Sequence, residues 1–209
     1  FFIVDDPAEL PLNLPRGNFD IPLCLQDHRI ADIPQFTYNV QMNDMMFGYL
    51  GDTVLVNGTP EAYLNVNTTL YRFRILNGSN GRVYKVALSD NSPFHIIATD
   101  GGLKDAAVQA TSFYLSPGER VDILINFSSY AIGQSVTLKS QAFSAPGMGT
   151  YRQGIELDLL RFDITGNQSS GGVVPASMPS ITYYNPAEVK AARNFILSVA
   201  GGTMNVHKI

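Results

Sequence analysis

Apolar residues recur at every second position along most of this chain, which is the period of a strand with one buried face. In YRFRILNG, Tyr71, Phe73 and Ile75 share one face while Arg72 and Arg74 share the other. In RVDILINF the inward set is Val121, Ile123, Ile125 and Phe127, opposed by Asp122, Leu124 and Asn126. FHIIATDGG and SVTLKSQAF repeat the pattern, and LDLLRFDITG reads as a longer closing strand. Turn dipeptides separate these runs: Asn57-Gly58, Asn77-Gly78, Asp100-Gly101 and Pro117-Gly118. Asn-Gly and Asp-Gly tolerate the positive φ that tight primed turns between twisted strands require. In GYLGDTVLVNGTP, Val54 and Val56 alternate with Thr53 and Leu55, Asn57-Gly58 reverses the chain, and Pro60 is expected to block immediate re-pairing. Helical signal is poor. Its best instance is NPAEVKAARNF, with Pro186 placed to start a helix and Ala187 to Ala192 to continue it.

Strands of this length at such short intervals predict an all-β antiparallel sandwich or barrel. The stretch GNQSSGGVVPASMPSITYYNP is rich in Gly, Ser and Pro and reads as an interdomain linker. The expected division is therefore a short incoming stub and linker over 1–15, a complete β domain over 16–167, a linker over 168–192, and the first strand of a following domain over 193–209. FFIVDDP at one end and RNFILSVAGG at the other each read as a strand whose neighbours lie outside the sequence, so self-association through uncovered edges is expected. No internal repeat is visible at the periods of solenoids or propellers.

Composition narrows the function. Of 209 residues 45% are apolar and 15% charged, which supplies a core and argues against disorder. The net charge of -4, with no Lys/Arg run, speaks against a nucleic-acid partner. No apolar stretch is long enough for a bilayer span, and the chain opens without a targeting signal. A single cysteine, Cys24, excludes an internal disulfide and a cysteine-built structural metal site. Sequons at Asn57, Asn67, Asn77, Asn126 and Asn167 matter only in a eukaryotic secretory pathway and carry little weight. There is no GxSxG elbow, no phosphate-binding loop and no GxGxxG after a strand.

FDIPLCLQD, GYLGDTVLVNG, YRFRILNGSNGRVYKVAL, FHIIATDGG and LSPGERVDILINFS follow one another from Phe19 to about Phe127. In this order and at these intervals they resemble the second, middle cupredoxin domain of a three-domain multicopper oxidase, the group of laccases and bilirubin-oxidase-like enzymes. The flanks resemble the last strand of the first domain and the opening of the third. The resemblance implies a cupredoxin-like Greek-key β-sandwich with short stubs of neighbouring domains at both ends. It also implies a secreted or periplasmic parent that takes single electrons from phenolic or metal-ion donors and reduces O2 to water. Copper is then the cofactor of the parent and the flanking cupredoxin domains are the partners.

The family's copper ligands come as two HxH-type pairs from the first domain and two from the third, including an HCH run, because imidazole suits both copper oxidation states and a thiolate builds the electron-accepting centre. None of these motifs is present. His28, His95 and His207 are isolated from one another, so no catalytic, cofactor-binding or metal-ligating residue is expected here. CLQDH sets Cys24 four residues before His28, one short of the family spacing, and Cys24 is expected to pack in the core. His95 is expected as a hydrogen-bonded strand residue facing away from Phe94 and Ile96, and His28 as part of a surface ion-pair cluster with Asp27 and Arg29. Glu119 and Arg120 are expected to form a structural pair. Met42, Met45 and Met46 in QMNDMMFGY could be flexible filling, a surface packed on a neighbouring domain, or a soft patch for Cu(I). The chain is thus expected to be a catalytically silent scaffold between copper-bearing domains. The alternatives are a domain of a copper-free protein of the same fold, such as the cell-division relatives of these oxidases, or a stand-alone adhesive sandwich.

Overall fold

The structure, a computed structural model, describes residues 3, 6–30, 38, 40–144, 153–182, 185–191, 195–200 and 203–208. It comprises two compact units, 1–179 and 180–209.

Strands of the first unit are β1 (Asp20–His28), β2 (Thr53–Val56), β3 (Thr59–Pro60), β4 (Tyr63–Asn67), β5 (Leu70–Asn77), β6 (Tyr84–Leu88), β7 (Phe94–Thr99), β8 (Gly102–Ala110), β9 (Ser112–Leu115), β10 (Arg120–Asn126), β11 (Ser135–Ser140) and β12 (Leu157–Gly166). They form two layers. One sheet runs in the order β3-β2-β1-β5-β10-β7-β8, the other β4-β12-β11-β6-β9. All pairings are antiparallel except β1 with β5 and β4 with β12, which are parallel. The cupredoxin-like sandwich expected from the sequence is present, with these two crossovers tying its halves together.

Alternation holds where the sequence shows it. Tyr71, Phe73 and Ile75 of β5 and Val121, Ile123 and Ile125 of β10 face inward, and all are buried. They meet Tyr84, Val86, Leu138, Phe162 and Ile164 from the other sheet. Phe73, Phe127 and Phe162 centre this layer with ring centroids 5.0 to 6.4 Å apart, tilted or edge-on as aromatic quadrupoles prefer.

Leu124 breaks the pattern by being buried on the outer face. A second core explains it. Leu14, Leu70, Ile97, Leu124 and Met178 form an apolar cluster outside the large sheet, with Leu12, Leu103 and Val174 packed against it. Leu12 and Leu14 belong to the segment before β1, and Val174 and Met178 to the segment after β12. The Gly/Ser/Pro-rich stretch up to Pro179 is therefore seated on the sheet.

Four local expectations change. Asn57 and Gly58 both take positive φ, +51° and +81°, so this turn is primed, and Pro60 does re-pair, opposite Leu55. It can because β3 is an edge strand, where a missing N–H costs no ladder bond. Asn77-Gly78 is no such turn; the buried Asn77 amide instead donates to the carbonyls of Arg82 and Leu115. The helix expected after Asn185 is one 3-10 turn, Pro186–Glu188, capped by the Asn185 side chain. A helix unseen in the sequence, α1, spans Met42–Phe47.

In the second unit β13 (Phe195–Ala200) pairs antiparallel with β14 (Thr203–Lys208). The sequence reading placed a single strand here; a hairpin forms. The FFIVDDP strand lies almost wholly outside the described residues.

Candidate functional site

The donors a copper ion would want are held apart. Cys24 and His28 share a face of β1 but stand four residues apart, about 13 Å at strand rise. His95 is on β7, three strand spacings or about 14 Å from β1. His207 lies in β14, in register with Ile196. Cys24 is half-buried, facing away from Leu23 and Leu25, so it is not the core residue expected. Its thiol lies against Gly78, where an added Cβ would sit 2.9 Å from Sγ. Burial pushes that thiol's pKa up, away from the thiolate that copper binds. Among the described residues no three His, Cys, Asp or Glu side chains converge to hold a metal ion. The donor set does not fit a copper centre of the blue or three-copper kind.

What the residues do build is a set of buried ionic clasps. Asp27 does not pair with Arg29. It accepts from Arg82 Nε at 2.7 Å and from the Gly51 N–H at 2.6 Å, while Arg82 Nη2 donates to the Gly51 carbonyl. Both side chains are 1% exposed, and Asp27 Oδ1 has no hydrogen-bond partner among the described residues. Gly51 is required by closeness: a Cβ there would lie 2.3 Å from the His28 nitrogen. Arg29 reaches elsewhere, to Asp44 of α1 with two nitrogens and to the Leu50 carbonyl at 2.9 Å, its guanidinium 4.2 Å from the Tyr49 ring centroid. His28 is exposed at the strand end.

A larger cluster covers the outer face of β5. Arg72, 3% exposed, donates to Glu9 at 2.7 Å and to Asp122 at 2.5 Å; Arg74 donates to Asp20 at 2.8 Å. Burial works against the Arg72 cation, but its bonds to Glu9 and Asp122 outweigh that and hold its pKa above the usual arginine value. Burial pushes the Asp122 carboxyl up despite both arginines. Glu9 sits in the 3-10 segment Pro7–Leu12, so this cluster fastens the incoming segment to the sheet. The outgoing segment is fastened to the incoming one and to the turn between β4 and β5. The Val173 N–H donates to the Asn13 carbonyl at 3.0 Å, Asn13 Nδ2 to the Gly171 carbonyl, and Thr69 Oγ1 meets Ser170 Oγ at 3.2 Å.

Glu119 and Arg120 also find other partners than expected. Arg120 Nε donates to Asp100 at 2.7 Å and Glu119 accepts the Ser116 N–H at 2.6 Å, because Arg120 begins β10 and projects across to the end of β7. They rim a cleft of about 220 Å³ floored by Ile96, Phe113 and Leu115.

The sequence does not show Glu9, Arg72 and Arg82 as partners, and it groups Asp27 with Arg29 where the structure pairs it with Arg82. Arg72 and Arg74 stand beside Asp20 and Asp122 only once strand order is known, since in register Asp20 faces Arg72 and Asp122 faces Arg74.

The multicopper oxidase family matches residues 19–152, more than half of the chain. The chain belongs to the multicopper oxidase family. It is 34% identical to a laccase of Bacillus subtilis over 173 residues, covering 78% of this chain and 33% of that one. It is also similar to cell division protein FtsP of Edwardsiella tarda, at 41% identity over 61% of this chain and 27% of the relative. Among solved structures, the 2F4 variant of the multicopper oxidase McoA from the hyperthermophile Aquifex aeolicus superimposes with a TM-score of 0.80 at 30% identity, over 97% of this chain and 44% of that one. The chain thus spans about a third of the length of the curated relatives it matches, and its fold is the cupredoxin-like sandwich of that family.

Proposed function

We propose that the chain is the middle cupredoxin domain of a three-domain oxidase and serves as the spacer between two copper-bearing domains. The observation that carries this reading is the clasp outside the large sheet. Glu9, Asn13, Gly171 and Val173 bind the incoming and outgoing segments to the sheet and to each other. Neighbours attached through those segments would leave the domain at a fixed separation, which a metal cluster assembled from two domains requires. The parent would oxidise phenolic or metal-ion donors one electron at a time, reduce O2 to water, and work outside the cytoplasm. The 209 residues alone, with three dispersed histidines and one cysteine, would be silent. Partners would be the flanking domains, or further copies through the edge strands β3, β8, β4 and β9.

The test is oxygen consumption by the purified chain with a phenolic donor after loading with Cu(II). The expected rate equals the protein-free control; turnover retained after gel filtration would overturn the spacer reading. The similarity to FtsP favours one second reading, a copper-free binding protein. The coding sequence on either side separates the two, since HxH pairs upstream and an HCH run downstream belong to the oxidase alone.

A further inference from the structure

Among the described residues, the ion cluster outside β5 holds one anion in excess. Three carboxylates, Glu9, Asp20 and Asp122, stand against two guanidiniums, Arg72 and Arg74. None of the five side chains is more than 17% exposed, so water does little to disperse the surplus charge.

The geometry singles out Asp122. Asp20 takes three bonds from Arg74 at 2.8 to 3.2 Å. Arg72 is divided: Nη1 donates to Glu9 at 2.7 Å, while Nε and Nη2 both donate to Asp122 Oδ2. Arg74 Nη1 stands 4.0 Å from that same oxygen. Both bonds to Asp122 end on Oδ2, so a proton on Oδ1 breaks neither. No other charge faces it: Ala98 lies opposite on β7, and Arg120, two residues along β10, turns to Asp100. Burial, reinforced by Asp20, favours the protonated carboxyl against the pull of both arginines.

We propose that Asp122 is a proton-binding site that governs how firmly the incoming segment Pro7–Leu12 is clasped. With Asp122 neutral, the cluster reduces to two matched pairs, Arg72 with Glu9 and Arg74 with Asp20. With Asp122 ionised, Arg72 is shared, and the repulsion among three carboxylates falls on Glu9, which is the one the segment supplies. The clasp is therefore tighter on the acid side of neutrality. It belongs to this chain's own segment and does not depend on the spacer reading.

In the unfolded chain Asp122 is an ordinary carboxyl that titrates near about pH 3.9. On acidification the folded chain takes its proton first, so stability rises as pH falls through the raised value, and is lost again as pH rises through it. Carboxylates such as Asp90 act in the opposite sense, so the share of Asp122 is read as a difference between wild type and a variant.

The experiment follows the assigned carboxyl carbon NMR signals of the 209-residue chain against pH. Asp122 should titrate above the ordinary value, and Glu9→Gln, which removes the surplus anion, should bring that step down. The Glu9 N–H, bonded to the Asp6 carbonyl at 2.9 Å, reports the clasp. Its exchange, corrected for intrinsic pH dependence, should slow as Asp122 protonates in wild type and ignore pH over that range in Asp122→Asn. The urea midpoint of Asp122→Asn should exceed that of wild type at neutral pH, and the two should converge in acid. Titration of Asp122 at or below the ordinary value, a step unmoved by Glu9→Gln, or Glu9 exchange indifferent to the step would overturn the proposal.

Discussion

Asn13 and Gly171 are 158 positions apart in the chain, yet the Asn13 side-chain amide donates to the Gly171 carbonyl at 2.9 Å. The contact joins the segment leading into the sandwich to the one leading out, and it is one of several. Together with Leu14, Leu124 and Met178 they make the outer face of the large sheet a second buried layer. The stability of this layer should separate from that of the inner core, because the two clusters lie on opposite faces of the sheet.

Gly172 lies where the two segments cross. A Cβ there would sit 2.6 Å from the Pro15 nitrogen and 2.8 Å from its ring carbons. Gly172→Ala should therefore cost about 1–3 kcal/mol, the usual penalty for overpacking a rigid contact. Urea unfolding monitored by circular dichroism measures it; an unchanged midpoint would mean that the segments are not in contact.

Leu124→Ala should destabilise by about 2–5 kcal/mol, as should Ile123→Ala on the opposite face of β10. Their consequences differ. Loss of Leu124 should open the 168–179 segment to limited proteolysis under native conditions, whereas loss of Ile123 should not do so selectively. Equal cleavage in both variants would contradict the two-layer description.

Arg72→Met should cost about 3–5 kcal/mol, because Glu9 and Asp122 then share a poorly solvated site with no guanidinium between them. By contrast Arg120→Met, at a pair about half exposed, should cost less than about 1 kcal/mol. Denaturant melts of the two variants side by side give the comparison.

Tyr130 donates its hydroxyl to Asp90 at 2.7 Å. Burial, reinforced by Asp90, pushes the phenol up from 10.0 to about 12. That stabilisation is complete below pH 10 and disappears as pH rises through about 12. For Asp90, burial pushes the other way but is outweighed by the bonds from Tyr130 and Ser92, so its carboxyl is depressed. Its share is complete above the ordinary carboxylate range and is lost as acid takes the pH through the depressed value. Tyr130→Phe should flatten both the alkaline and the acid limb of a stability–pH profile. Ultraviolet titration of the wild-type phenols should show Tyr130 late by about two pH units and the buried Tyr84 later still.

The inner layer was legible because each side chain there answers to a local rule. Phe73 and Ile123 alternate with polar neighbours, and a strand places alternate residues on one face. The outer layer was not. Leu124 reads as an irregularity until the segments that cover it are in place, and the partners of Arg72 and Asp27 come from positions 63 and 55 residues away, respectively. Pro60 was misjudged for the same reason: its fitness for a strand depends on whether that strand lies at an edge. The run after Pro186 has helical composition, yet nothing local repays the cost of nucleating more than one turn. The Met42–Phe47 helix was hidden in reverse, since it is held by Arg29 and by its cap more than by propensity.

β12 occupies an interior place in the smaller sheet, bonded on one side to β11 and on the other, in parallel, to β4 some hundred residues earlier. During synthesis Tyr63–Asn67 must therefore wait, its ladder groups open, until Leu157–Gly166 leaves the ribosome. Half-made chains will lean on chaperones, and a version trimmed short of residue 157 should precipitate even though most of its strands are intact.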